Sequence, residues 1–523
     1  MLNNNIVSMT QSSSLELSKS SRLAHDISSH CCFNSKQMAD HEMLQFLKQI
    51  YANLNLNFEK VVNLAQGYPK VATLIVEAQL AQNFDLETLS HNNLLNKLLW
   101  KKGEVQNQTH LKILQACSLF DVFSIEKNKK SPLSFIARLC DTHIDTVTQC
   151  LQIYVDRGLI YRHGHLAQIT PKPLAVQLAA QWWSSASQEM LWELTEVLPN
   201  NIIETICNQI KHMGSHSDID KITQMLYAPE SVWVKPESIL SDQGSKIFGA
   251  FVNVSPKPAC AALYRTLSNM DSLQRKAIVG DTRRNLLSGL EKLCAETHHF
   301  TTATWCILLL ASAENESWSN NATDRFTQLF RISLSGTKAN PTSRFAFLEE
   351  AMNLHDDEID IVLLQALEQA VSPLGGSRIA TAGYQADDRS SVKEWRPNCQ
   401  KEVCEYWQQA LLLSLRLSKR GDTQREQILY YIGHSIRGFV HRGCVEMLDN
   451  TIRQIINENG PYWPAALTSI RNTFEYDVES LTEPTAKMLN NWMALLNDNE
   501  PDLFITATYP CKLGFNHLQS VAR

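Results

Sequence analysis

From about residue 185 onward the sequence repeats one local device, a helix-capping side chain followed by an apolar stripe at helical spacing. Asp281, Thr301, Asn321, Asn340 (with Pro341 behind it) and Asp356 are candidate N-caps. Their short polar side chains can accept from the free N–H groups of a first helical turn. Behind them run Leu286, Leu290 and Leu293, then Phe326, Leu329 and Phe330, then Leu363, Ala366, Leu367 and Ala370. Each set marks one face of a helix. Caps about 16 to 20 residues apart suit short helices packed in pairs, with a period near 40 residues per pair. An irregular α-solenoid, HEAT-like or TPR-like, fits this better than a single bundle. The stretch SPLGGSRIATAGYQADDRSSVKEWRPNCQ, about 372–400, interrupts it as a long loop.

The chain upstream divides into three further blocks. Residues 1–38 are rich in Ser and Asn and poor in large apolar residues, and are expected to be disordered or a remnant of something larger. Residues 39–130 read as a small helical domain. Met43, Phe46, Leu47 and Ile50 share a face, as do Phe58, Val61, Val62 and Ala65, and then Val71, Leu74, Ile75 and Ala78. Between the last two faces lies Gly67-Tyr68-Pro69. Gly67 suits the left-handed position that ends a helix, and Pro69 suits the first turn of the next. Helical segments are also expected through NNLLNKLLW and HLKILQACSLFDVF.

Residues 131–185 follow a different pattern. One helix carries Leu133, Ile136, Ala137 and Cys140, and a second carries Ile144, Val147, Thr148 and Leu151. Gly158 can end the second, and short strands at Leu159–Tyr161 and Leu166–Ile169 flank the turn His163-Gly164-His165. This is the order of a winged helix. The remainder, 186–523, is the repeat region.

Totals exclude several function classes. The formal net charge is −6, so there is no electrostatic case for wrapping nucleic acid. No apolar run approaches the ~20 residues that span a bilayer, and the N-terminus lacks the pattern of a secretory signal. The 13 cysteines are scattered without a CxxC, which points to reduced thiols and a cytoplasmic location.

No catalytic constellation stands out. There is no GxxxxGK[ST] phosphate loop and no apolar strand ending in paired acids, so nucleotide hydrolysis by this chain alone is not expected. There is no GxSxG elbow and no HExxH helix. His30, Cys31 and Cys32 make a poor tetrahedral metal site, and His163 and His165 are explained by a wing turn. HDDEID, 355–360, lacks the ligand spacing of a calcium loop and reads as acids at a helix N-terminus. His298 and His299 precede a helix without a ligand partner. A winged helix can read DNA with its second helix. Here the outward positions are Asp145, Thr146, Gln149, Gln152 and Asp156, with Arg157, Arg162 and Lys172 nearby. That surface argues against nucleic acid, and a DNA-binding regulator is the alternative reading.

A helical block bearing LAQGYPKVATLIVEA, then a winged helix, then helical repeats resembles the C-terminal part of STAND-class signalling NTPases, which are related to AAA+ proteins. The resemblance covers about residues 40–185. It extends more loosely to ASAENESWSNNATDRFTQLFRISLSGTKANPTSRFAFLEE, which looks like the sensor region of large bacterial members. It implies a lid whose corner, Gly67, Tyr68 and Pro69, packs beside an adenine, and repeats that sense a protein partner. It implies ATP or ADP only if another segment or chain supplies the missing phosphate-binding core. The expectation is a truncated or split member, non-catalytic, in signalling or antiphage defence, with self-association left open.

Overall fold

The computed structural model describes residues 38–51, 56–65, 67–82, 99–100, 104–128, 131–196, 198–373 and 394–496. The N-terminal segment, most of NNLLNKLLW, the His30-Cys31-Cys32 cluster, the bulk of the long loop and the C-terminal segment lie outside them. The chain is mainly α, and it divides into two compact units between Trp233 and Val234. The helices between 186 and 233 therefore belong to the first unit.

The first unit begins with α1 (Asp40–Ile50), α2 (Phe58–Ala65) and α3 (Pro69–Gln82). Phe58, Val61, Val62 and Ala65 of α2 pack with Val71 and Ile75 of α3 and with Met43 and Leu47 of α1. Ile50, expected on that face, is instead exposed. It is the last residue of α1.

Next come α4 (Gln108–Cys117), β1 (Phe123–Ser124), α5 (Pro132–Leu139), α6 (Ile144–Asp156), β2 (Ile160–His163) and β3 (Leu166–Ile169). The strands form one antiparallel sheet in the order β1-β3-β2. Gly158, at φ 71°, lets the chain leave α6, and Gly164, at φ 59°, turns the hairpin. The hairpin sits where the sequence places it, with β2 starting one residue later than expected. Strand β1 pairs Phe123 with Ala167, a contact that no local pattern announces. Then α7 (Lys172–Ser185), α8 (Gln188–Glu196), α9 (Asn200–His212) and α10 (Ile219–Leu226) complete the unit, with α7 packed on α4, α9 and α10.

The second unit is built from helix pairs. After the short α11 (Pro236–Ile239) come α12 (Asp242–Val254), α13 (Pro256–Ser268), the short α14 (Ser272–Lys276), α15 (Gly280–Cys294) and α16 (Phe300–Ala311). They are followed by α17 (Ala322–Gln328), α18 (Pro341–Met352), α19 (Asp357–Val371) and α20 (Gln400–Leu417). Last are α21 (Asp422–His441), α22 (Val445–Asn459), α23 (Pro464–Asp477) and α24 (Glu483–Leu496).

Setting the short α14 aside, corresponding helices of successive pairs touch. On one layer α12 packs on α15, and α17, α19, α21 and α23 continue it; on the other, α13 packs on α16 and α18, α20, α22 and α24 continue it. Phe347 of α18 meets Trp305 of α16 within its layer at 4.8 Å and Phe326 of α17 across the layers at 6.1 Å. Successive pairs begin about 40 residues apart, except across the stretch that contains the long loop. This is the packing of a two-layered helical repeat.

The predicted stripes are buried. Leu286, Leu290, Phe326, Phe330, Leu363, Ala366, Leu367 and Ala370 are wholly enclosed, and Leu293 and Leu329 nearly so. Asn321, Asn340 and Asp356 cap α17, α18 and α19, accepting from Asp324, Ser343 and Ile359 backbone N–H groups at 3.0, 2.8 and 3.0 Å. Asp281 and Thr301 do not cap. Helix α15 starts one residue earlier, its Gly280 N–H donating to the distant Glu316 carboxylate at 2.7 Å, and α16 starts at Phe300.

Candidate functional site

The sequence-predicted site is the Gly67-Tyr68-Pro69 corner. Gly67 has φ 83°, and its carbonyl accepts from the Met38 N–H at 2.7 Å. The Tyr68 N–H donates to the Ala65 carbonyl at 3.0 Å, closing the turn, and the Tyr68 carbonyl accepts from Val71 and Ala72 as the first bonds of α3. Tyr68 packs half-buried on the α1–α3 core. The backbone conformation follows from glycine's tolerance of positive φ and proline's fixed φ at a first turn. The three residues are thus adjacent and ordered by local chemistry.

The other motifs are absorbed by ordinary structure. In HDDEID, Asp356 caps α19, Glu358 pairs with Lys276 at 3.0 Å and the buried Asp360 faces Arg420 at 3.4 Å. Among the described residues no group of three His, Cys, Asp or Glu side chains is arranged to hold a metal ion. His163 and His165 lie at the exposed hairpin tip. On α6, Asp145, Gln149, Gln152 and Asp156 are exposed as expected, whereas Thr146 is half-buried. Asp145 pairs with Lys127 at 2.7 Å. Arg157 is committed to Glu104 at 2.6 Å and to the Leu99 carbonyl at 2.8 Å, and Lys172 turns inward to Asp121 and Gln209. Of Arg157, Arg162 and Lys172, Arg162 alone is exposed.

A surface that sequence reasoning passed over is the outer edge of α21 and α23. Helix α21 buries Ile428, Tyr431, Ile432, Ile436 and Phe439. Gly433 brings α23 close, because a Cβ there would lie 2.7 Å from the Ala466 nitrogen. Beside that contact and away from the buried stripe, Tyr430, His434, Arg437 and His441 follow one another at intervals of three and four residues. The Tyr430 and His434 rings meet edge to face with centroids 4.3 Å apart. Arg437 forms a two-pronged bond with Asp477, at 2.7 and 3.1 Å, and its guanidinium lies over the Tyr476 ring at 5.4 Å. His441 Nε2 reaches the same carboxylate at 3.0 Å. The Arg437 bonds, with His441 adding to them, hold the Asp477 carboxyl below the usual carboxylate range.

Tyr430 is 52% exposed and Tyr476 63% exposed. Large rings held by neighbours supply contact area with little side-chain ordering on association. This edge has the chemistry of recognition, with ring faces, a bound cation and hydroxyls. The signal that could have found it is the three-and-four spacing of Tyr430, His434, Arg437 and His441, which runs opposite the apolar stripe.

No family model and no curated protein matches this sequence. Among solved structures, the chain is similar to a STAND protein with a tetratricopeptide repeat sensor from Pyrococcus horikoshii. The match has 13% identity over 88% of this chain and 72% of that one, with a TM-score of 0.18. At that score the two backbones do not superpose as one fold, and the architecture here rests on its own helices. Among the described residues, no helix is long and apolar enough to cross a membrane.

Proposed function

We propose that this chain is a non-catalytic sensor or scaffold that binds a protein partner through its C-terminal helix pairs. The observation that carries the reading is the Tyr430–His434–Arg437–Tyr476 edge, a preorganised aromatic and cationic surface on a repeat architecture. The sequence resemblance to STAND-class proteins supports a finer version: a cytoplasmic bacterial relative in signalling or antiphage defence, with residues 131–185 as a winged-helix spacer. In that version Gly67, Tyr68 and Pro69 form the adenine-side edge of a nucleotide pocket whose phosphate side comes from another segment or chain. The alternative, a DNA-binding regulator, draws no support from α6, whose acids face outward, or from the neighbouring Arg157 and Lys172, which are already engaged.

The test is photo-cross-linking from a reactive residue placed at position 430 of the full chain. A single protein adduct is expected, reduced at least several-fold by Arg437→Ala and absent when the reactive residue replaces the exposed Leu273. Equal yields from both positions would sink the proposal. Steady ATP turnover by the pure chain, abolished by a substitution within it, would overturn its non-catalytic part.

A further inference from the structure

Two elements of the second unit meet here: the start of α20, with its fifth residue Cys404, and the Arg442-Gly443-Cys444 turn that opens α22. The side-chain amide of Gln400 binds them together. Its Nε2 donates to the Arg442 carbonyl and lies 3.2 Å from Cys444 Sγ and 3.8 Å from Cys404 Sγ. One nitrogen within 4 Å of both sulfurs keeps the two thiols side by side. Gly443, at φ 68°, makes the turn that brings Cys444 back toward α20. Cys404 is partly exposed, whereas Cys444 is 1% exposed.

We propose that Cys404 and Cys444 are a reversible dithiol, closed to a disulfide by a hydroperoxide and so stapling α20 to α22. The Cys404 thiol gives up its proton, and its sulfur attacks the hydroperoxide O–O bond. The alcohol, or water, leaves and Cys404 becomes a sulfenic acid. The Cys444 thiol then loses its proton and attacks the Cys404 sulfur. The S–O bond breaks and hydroxide leaves as water with that proton. Two electrons pass from the two sulfurs to the O–O bond, and a reducing dithiol reverses the change.

Exposure and burial set the order of steps. Burial hides Cys444 from a dissolved hydroperoxide and pushes its thiol up to about 12, so oxidation begins at Cys404. The second unit holds an internal contrast. Cys260 of α13 and Cys306 of α16 also lie on helices packed together, but both are buried in the core. Proximity alone would predict that both pairs close; proximity with access selects Cys404–Cys444.

The experiment treats the folded full chain with hydrogen peroxide and maps peptides without reduction. A Cys404–Cys444 linked peptide is expected, removed by dithiothreitol, while Cys260 and Cys306 remain alkylatable after unfolding. Cys444→Ser should leave an open sulfenic acid at Cys404, raising its labelling by dimedone several-fold, and Cys399→Ser should leave the link intact. Oxidation of Cys404 to sulfinic acid with no linked peptide would overturn the proposal. So would a link from Cys404 to Cys399, or equal closure of the Cys260–Cys306 pair. Circular dichroism of each variant separates loss of the link from loss of the fold.

Discussion

Both units bury cations, and they satisfy them differently. In the first, Lys172 meets a carboxylate: its ammonium lies on Asp121, with Gln209 Oε1 at 3.1 Å and Gln168 reaching the same carboxylate at 3.4 Å. In the second, buried arginines gather the free carbonyls at helix ends. Arg283 donates to the Ile278, Leu310 and Ala313 carbonyls at 3.1, 2.5 and 3.2 Å, beside Glu314 at 3.1 Å. Arg344 donates to the Leu329 and Arg331 carbonyls at 3.1 and 2.9 Å and sits against the Trp395 and Tyr406 rings at 5.1 and 5.3 Å. A unit made of stacked short helices has many C-termini to satisfy, and a forked guanidinium can reach two or three carbonyls at once. A compact sheet-and-helix unit has fewer, and a point charge on one carboxylate suffices.

That difference can be tested by breaking each arrangement. Arg283→Met should cost the most, about 3–5 kcal/mol, because it strands three carbonyls and leaves Glu314 without its cation. Urea unfolding of the full chain followed in the second unit measures it, and a loss below about 1 kcal/mol would mean that water replaces the guanidinium. Arg344→Met should cost less, about 2 kcal/mol, since two carbonyls lose their donor but the methionine can fill space between the rings. A cost equal to that of Arg283→Met would show that the ring contacts matter as much as the carboxylate. Lys172→Met should cost about 1–2 kcal/mol, as Asp121 is a quarter exposed and keeps Gln168. Its effect should appear in the first unit alone.

The smallest effect is at the surface, and it is a pH effect. Asp477 has its folded pKa held below the unfolded value of 3.8 by the Arg437 bonds, with His441 adding to them. Its contribution is therefore complete above about pH 4 and is lost as pH falls through the lower, folded value. In Asp477→Asn the urea midpoint should fall less between pH 5 and pH 2 than in the parent chain. Parallel pH profiles for the two proteins would refute the assignment.

Much of the fold was legible where its cause is local. Asn321, Asn340 and Asp356 cap because their side chains reach three residues ahead, and Gly67 and Pro69 turn because of their own backbone limits. The apolar stripes behind the caps followed from helical spacing. What failed was set from afar. Helix α15 begins at Gly280, not behind an Asp281 cap, since Glu316 supplies the acceptor. Strand β1 exists because β3 offers it an edge, and Ile50, on the apolar face of α1 by spacing, is exposed.

The candidate site divides the same way. Sequence alone determined that the chain is built of short helices, that a glycine–proline corner joins α2 to α3, and that α6 presents acids outward. Each of those depends on residues within one or two helical turns. Only the tertiary structure decided which polar side chains are spent and which are offered. Arg157 and Lys172 are drawn into ion pairs with residues about 50 positions away, while Arg437, Tyr476 and His441 are gathered around one carboxylate from two helices. Charge and ring pairing depend on distance in space, and a one-dimensional pattern carries that only where the chain folds back on itself within a few residues.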